Sequence, residues 1–202
     1  MTMKKILLAA TSLCLLLAAS PVQAQSPGPF ELELKVGPAF TTQDVRGESL
    51  GNGFGAEATI AYWFTRRLAV YGGWDWRSFA PDRSFAGANT DIEETGYAYG
   101  LRFEYPFIVG RGSSPRLRLH AGATYDHIEI EDADGDLIGD SDHGVGWEAG
   151  AGVAFPVGDS WKVTPGVRYR ALSREVTVGD VTTDVDLEYV ATEIAVSWSF
   201  GS

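Results

Sequence analysis

Cysteine and histidine are scarce in this sequence. Cys14 is the only cysteine among 202 residues, and it lies in an amino-terminal segment that we expect to be removed. The mature chain would then have no disulfide, no thiolate metal site and no cysteine nucleophile. Avoidance of cysteine suits an oxidising envelope compartment. The three histidines, His120, His127 and His143, leave few candidates for acid–base catalysis.

Basic residues are also in short supply. The chain has 16 lysines and arginines against 27 acidic residues, and its formal net charge is −11. Nucleic acid is therefore not an expected partner, because phosphate binding requires a basic patch.

The one long apolar run is amino-terminal. Lys4 and Lys5 precede apolar residues over 6–19, and the triplet Val22, Gln23, Ala24 follows. This pattern predicts a Sec-type signal peptide over residues 1–24, because the run is shorter than the roughly 20 residues that a spanning helix needs. The remaining residues, 25–202, fit a single domain.

Apolar and polar residues alternate with a period of two through the rest of the chain. This period predicts strands and not helices, since successive strand residues point to opposite faces. Eight strands are expected, near residues 31–40, 54–64, 68–77, 96–105, 117–126, 145–155, 161–170 and 189–200.

The connections between these strands alternate in length. Short turns are expected at 65–67, 108–115 and 157–160. Long polar loops are expected at 41–52, 79–91, 131–143 and 173–186. Short periplasmic turns with longer external loops are typical of outer-membrane β-barrels.

Alternation alone fits both a soluble barrel, such as a lipocalin, and a membrane barrel with its apolar face in lipid. Three features favour the membrane barrel. Glycine is frequent on the polar face, charges of both signs are confined to that face at mid-strand, and aromatic residues on the apolar face gather near strand ends. The tryptophans expected in the interfacial aromatic girdles are Trp74, Trp76, Trp147, Trp161 and Trp198.

The polar face is expected to form a charge-paired lumen. Counting residue pairs outward from each turn places Lys35 between Glu57 and Glu193, and places Arg168 between Glu193 and Glu148. Buried charges persist only when they are paired and hydrogen-bonded. A chain of alternating charges is therefore predicted across the seam between the first and last strands.

The sequence resembles the small outer-membrane barrels grouped with OmpX, the opacity proteins and the transmembrane domain of OmpA. Its final strand alternates Ile194, Val196, Trp198 and Phe200, which is similar to the carboxy-terminal assembly signal of that family. The resemblance implies an all-β, eight-stranded antiparallel up-and-down barrel in the Gram-negative outer membrane. It also implies contact with outer-membrane lipids and lipopolysaccharide, and assembly with periplasmic chaperones and the barrel-assembly machinery.

Some small barrels are enzymes, including lipid A deacylases, lipid A palmitoyltransferases and the larger omptin proteases. Each requires a polarised histidine beside a hydroxyl or carboxylates. The deacylase pattern His-x-Ser is missing, and Asp126 and His127, which resemble the omptin acid and histidine, point to opposite faces of a strand. We therefore predict no enzyme, catalytic residue or cofactor.

The loop at 131–143 offers hard oxygen ligands for calcium, although Leu137 stands where an EF-hand needs glycine. Calcium binding there stays open, and no metal site is predicted. The aspartates concerned are Asp132, Asp134, Asp136, Asp140 and Asp142.

Three functions are compatible with the sequence. The leading hypothesis is a non-enzymatic barrel whose external loops serve surface interaction or envelope integrity. A small porin-like or hydrophobic-ligand channel is the alternative, and a lipid A-modifying enzyme is the least favoured.

The final strand yields a first prediction. Phe200→Ala should lower the yield of surface-exposed folded protein in cells, because the last strand must be recognised during assembly and Phe200 is expected at the lipid interface. Surface labelling together with heat-modifiable gel migration measures this yield. An unchanged yield would show that the assembly-signal assignment is wrong.

Overall fold

The computed structural model describes residues 28–42, 44–45, 48–81, 91–109, 114–131, 136–178 and 181–201. The predicted signal peptide at 1–24 lies outside these residues. Among the described residues there is no helix long and apolar enough to cross a membrane.

The described residues form ten strands, and every strand pair is antiparallel. In chain order they are β1 (Phe30–Thr41), β2 (Asp44–Val45), β3 (Glu48–Trp63), β4 (Leu68–Pro81), β5 (Asp91–Pro106), β6 (Arg116–Glu131), β7 (Leu137–Ser141), β8 (Gly144–Val157), β9 (Trp161–Val178) and β10 (Val181–Phe200).

The strands close into a ring of eight positions. Each main strand pairs with the next along the chain, and β10 returns to pair with β1 from Phe30 opposite Phe200 to Thr41 opposite Tyr189. The short β7 lies between β6 and β9, in line with β8, and β2 is a small addition to β3. The predicted eight-stranded up-and-down barrel is therefore confirmed.

The register fixes the stagger of the barrel. Following paired residues round the ring from Glu31 leads back to β1 at Thr41, ten residues further along. The intermediate steps are Ala61, Tyr71, Gly100, Gly122, Glu148, Arg170 and Tyr189. Eight tilted strands leave an interior just wide enough for side chains to fill.

Some interior positions are too crowded for any side chain. A Cβ atom at Gly73 would lie 2.0 Å from the carbonyl oxygen of Ala58 on the neighbouring strand. Glycine permits this close backbone approach where the strands coil tightly. The abundance of glycine on the polar face therefore reflects a crowded interior.

In the part of each strand nearer the short turns, polar residues are buried and apolar residues are exposed. On β1, Glu33 and Lys35 are buried, whereas Leu34 is 58% exposed and Val36 is 48% exposed. A soluble barrel would show the opposite distribution, because it buries its apolar face away from water. The exposed apolar belt therefore faces lipid, as the sequence predicts.

Beyond this belt, toward the long loops, the inward face becomes apolar and the outward face becomes polar. On β9 and β10, Leu172, Val185 and Leu187 point inward and are buried, while Glu175 and Asp184 point outward and are exposed. The loop predicted at 173–186 is wrong for this reason. Alternation continues there with the apolar residues inside, so the strands extend beyond the membrane as a water-exposed crown.

The interior of the crown contains a hydrophobic cluster, which we call the plug. It covers the outer end of the polar lumen. Its members are Ala39, Phe79, Ile92, Ile128, Ile130, Leu172, Val176, Val185, Leu187, Tyr189 and Ala191.

The plug should contribute strongly to stability. Leu187→Ala is expected to lower the free energy of unfolding by about 2 to 5 kcal/mol, since it removes buried methyl groups and leaves a cavity. Thr182→Ala, at an exposed position of the same strand, is the matched control. Urea unfolding in detergent micelles measures both, and equal midpoints would show that the plug does not support the barrel.

Candidate functional site

The polar lumen is the most chemically distinctive region of the barrel. Its inward-facing strand positions bury a large set of charged side chains of both signs. An isolated buried charge costs several kcal/mol, so each must find a partner inside the barrel. The set comprises Glu31, Glu33, Lys35, Glu57, Asp75, Arg77, Glu94, Arg102, Glu104, Arg118, Asp126, Glu148, Arg168, Arg170, Arg174 and Glu193.

Arg168 and Arg170 organise the half of the lumen nearer the crown, which we call the upper layer. The Arg168 guanidinium contacts Glu57, Glu193 and, at 2.9 Å, Glu148. Glu148 also accepts a hydrogen bond of 2.7 Å from Arg170. One carboxylate therefore binds two arginines that are two residues apart on β9.

Arg170 extends this layer to the far wall. Its Nη1 donates to Asp75 on β4 and, at 2.6 Å, to Glu94 on β5. The Tyr189 hydroxyl donates to the second Glu94 oxygen at 2.7 Å. Tyr189 also belongs to the plug, so its hydroxyl connects the charged layer to the hydrophobic cluster above it.

Arg102 and Arg118 organise the periplasmic half, the lower layer. Arg102 donates to Glu31 at 2.8 Å and to Glu33 at 2.6 Å across the lumen. Arg118 contacts the same two glutamates and donates to Glu104 at 2.5 Å. These contacts link β1, β5 and β6, which are not all neighbours in the sheet.

Lys35 joins the two layers. Its Nζ lies 2.6 Å from Glu57 in the upper layer and 3.7 Å from Glu33 in the lower layer. The structure thus brings the five residues proposed from the sequence into one network. It differs in one contact, because Glu193 is reached by Arg168 and Arg77, whereas Lys35 turns to Glu33.

Most of the crossing contacts were missed by the sequence analysis. Residue counting along a ladder finds only neighbours in the sheet, whereas Arg102 and Arg170 reach across the lumen. The available signal was their position on the polar face of a strand. That signal marks a side chain as inward but does not identify its partner.

Little space is left between the layers. A cavity of about 30 Å³ lies beside Lys35, His120 and Glu193. A water molecule needs about 10 to 15 Å³ of such a cavity, so this space holds a few water molecules at most. Together with the plug, the two layers leave no room for a wide aqueous path through the described lumen.

The predicted girdle tryptophans lie on the outer surface. Trp74, Trp147, Trp161 and Trp198 are each between 41% and 52% exposed. Trp76 is partly buried, and its indole donates a 2.9 Å hydrogen bond to Glu93 at the base of the crown.

The residues of the proposed assembly signal also face outward. Ile194 and Val196 are exposed in the lipid belt. The Phe200 ring stacks on Trp198 at 4.8 Å and on Phe30 of β1 at 5.8 Å, so it contacts both sides of the closing seam.

The upper layer yields a graded prediction. Arg170→Ala should cost about 3 to 5 kcal/mol of unfolding free energy, because Asp75 and Glu94 lose the guanidinium between them. Glu193→Ala should cost less, since it takes the ion-pair partner from one guanidinium, that of Arg77, whereas Arg168 keeps Glu57 and Glu148. Urea unfolding tests the order, with the exposed Glu175→Ala as control. If all three variants unfolded alike, the network would be dispensable.

Comparisons with known proteins agree with the barrel fold. A family model described as the outer membrane protein beta-barrel domain matches residues 10–200. A search of curated proteins gives no significant match. The structure of Neisserial surface protein A has a TM-score of 0.59 and 14% identity, over 87% of this chain and 100% of that one.

Two further solved structures share the fold. OprG from Pseudomonas aeruginosa has a TM-score of 0.60 and 13% identity, over 89% of this chain and 100% of that one. The structure of the outer membrane protein AlkL has a TM-score of 0.53 and 17% identity, over 91% of this chain and 96% of that one. Since the family model spans nearly the whole chain, this protein belongs to the outer membrane protein β-barrel domain family and is an integral protein of the Gram-negative outer membrane.

Proposed function

We propose that this protein is a sealed, non-enzymatic barrel that acts through its outer surface. The observation that carries the proposal is the filled interior, in which two layers of ion pairs lie beneath a hydrophobic plug. Such an interior favours a structural role for the lumen. The parts left to meet other molecules are the lipid-facing belt and the crown.

The crown is the proposed site of surface interaction or of a contribution to envelope integrity. Its outward strand positions are strongly acidic, as at Glu175, Asp184 and Asp186 on β9 and β10. A negative surface favours cationic partners and divalent cations over anionic ones. Lipopolysaccharide around the crown is therefore expected to meet this surface through bridging cations.

The three histidines lie in two separate places. His120 lies in the lumen between the layers, whereas His127 and His143 contact each other on the outer surface. In the part of the chain that the structure describes, no histidine is hydrogen-bonded to a serine or threonine hydroxyl. A nucleophile needs such a base within hydrogen-bond reach.

Biogenesis is proposed from the sequence and from the seam. Residues 1–24 would be cleaved as a signal peptide during Sec export. Periplasmic chaperones and the barrel-assembly machinery would then deliver and fold the chain. The outward-facing Phe200, next to Phe30, is well placed to be recognised while β10 closes on β1.

Planar-bilayer recording tests the sealed lumen. The wild-type protein should carry no steady ion current, because ion pairs and the plug fill the described lumen. The double variant Glu57→Ala/Arg168→Ala removes an ion pair without changing the net charge, and it should show brief openings. The unboiled gel mobility of each preparation verifies that the barrel is folded.

The recording also separates the proposal from the channel alternative. A large, steady conductance of the wild type would overturn the sealed lumen and favour a porin-like or ligand channel. Silence of both the wild type and the double variant would instead mean that the plug alone is sufficient to close the barrel.

A further inference from the structure

Two of the three histidines of the chain meet on the outside of the crown. His127 is on β6, and His143 lies between the end of β7 at Ser141 and the start of β8 at Gly144. Their ring centroids are 4.3 Å apart, and Tyr125 packs beside His143 at 5.3 Å. This pair lies outside the lumen network.

A β-bulge creates the meeting. Asp126 on β6 pairs with Gly144, but Glu129, three residues on, pairs with Asp140. Two residues of β6 therefore face three residues, 141–143, on the opposite side. The Ser141 hydroxyl accepts a 2.8 Å hydrogen bond from the Ile128 amide within this irregularity. Bulges re-aim side chains and are frequent beside functional sites.

The two rings present nitrogen atoms at a separation that suits a metal ion. The distance between His127 Nδ1 and His143 Nε2 is 3.1 Å. Two imidazoles that bind one tetrahedral zinc at about 2.0 to 2.1 Å place their nitrogens roughly 3.3 Å apart. The existing pair is a few tenths of an ångström from that spacing, so a small ring movement would suffice.

Glu129 holds His127 in the orientation that binding requires. The other ring nitrogen, His127 Nε2, lies 2.9 Å from Glu129 Oε1. When Nε2 carries the proton and donates it to the carboxylate, the lone pair of Nδ1 points to His143. A carboxylate behind a ligating histidine is the usual support of such ligands, because it fixes the tautomer and ring orientation.

The surroundings favour a cation and give it access to solvent. An open groove of about 440 Å³ begins at His143 and is also lined by Asp140, Asp142, Glu175 and Arg174, whose charge is paired with Asp126. On the other side of Glu129, carboxylate oxygens of Glu93, Glu129 and Glu131 lie within 4.8 Å of one another. This negative surface raises the local concentration of cations.

We propose that His127 and His143 bind one divalent transition-metal ion, such as Zn²⁺ or Cu²⁺, with Glu129 as the positioning residue of His127. Water from the groove completes the coordination. Metal binding replaces the hydrogen bond between the rings and moves the proton of His143 to its Nδ1. Imidazole nitrogen distinguishes this site from a calcium site, which takes oxygen ligands.

Titration of the untagged, folded protein in detergent with zinc chloride tests the site. Calorimetry should show one ion per barrel. His127→Ala and His143→Ala should each weaken the affinity at least tenfold, and Glu129→Gln should weaken it about 10- to 100-fold. Asp186→Asn, exposed on β10 and outside the site, should leave the affinity unchanged.

Electron paramagnetic resonance with Cu²⁺ provides an independent readout. The spectrum should show nitrogen hyperfine coupling that is reduced in either histidine variant. No measurable binding, unchanged affinity in the histidine variants, or displacement of the ion by excess calcium would overturn the proposal. The last result would assign binding to the carboxylates of Glu93, Glu129 and Glu131. If an alanine variant lost heat-modifiable migration, His143→Asn would serve in its place.

Discussion

Every other feature of this barrel depends on the pairing of backbone groups in lipid. The hydrocarbon offers no water to unpaired N–H and C=O groups, so the sheet must close on itself. Closure from Phe30 opposite Phe200, with a stagger of ten residues, fixes the width of the interior. That width is filled by side chains, and the inward face of each strand is polar because the outward face must be apolar.

Ion pairing follows from this closure. Charged residues that are forced inward cannot be hydrated individually in a narrow lumen, so they share partners. Glu148 serves two arginines, and Arg170 connects β9 to carboxylates on β4 and β5. These contacts cross the interior and do not run only along the sheet. The ion pairs of the lumen therefore link strands on opposite sides of the barrel.

The sequence predicts the membrane part of the fold well and the crown poorly. Alternation over 31–40 and 189–200 reveals the closing strands because the outward residues are uniformly apolar. The segment 173–186 is predicted as a loop because its apolar residues are at inward-facing positions, which are polar in the membrane part of the same strands. The contacts of Lys35 and the meeting of His127 with His143 depend on side-chain reach and on a bulge, and neither has a period that can be read from the sequence.

The exchange of polarity between belt and crown also sets the depth of the protein in its membrane. If the barrel sank, Glu175 and Asp184 would enter hydrocarbon, where a charged residue on the lipid face of a barrel is destabilising by an amount that grows with depth. If it rose, Leu34 and Val36 would meet water and lose favourable burial of apolar surface. Both displacements raise the free energy. The barrel therefore has one preferred height, and the histidine pair of the crown is held at a constant distance above the lipid.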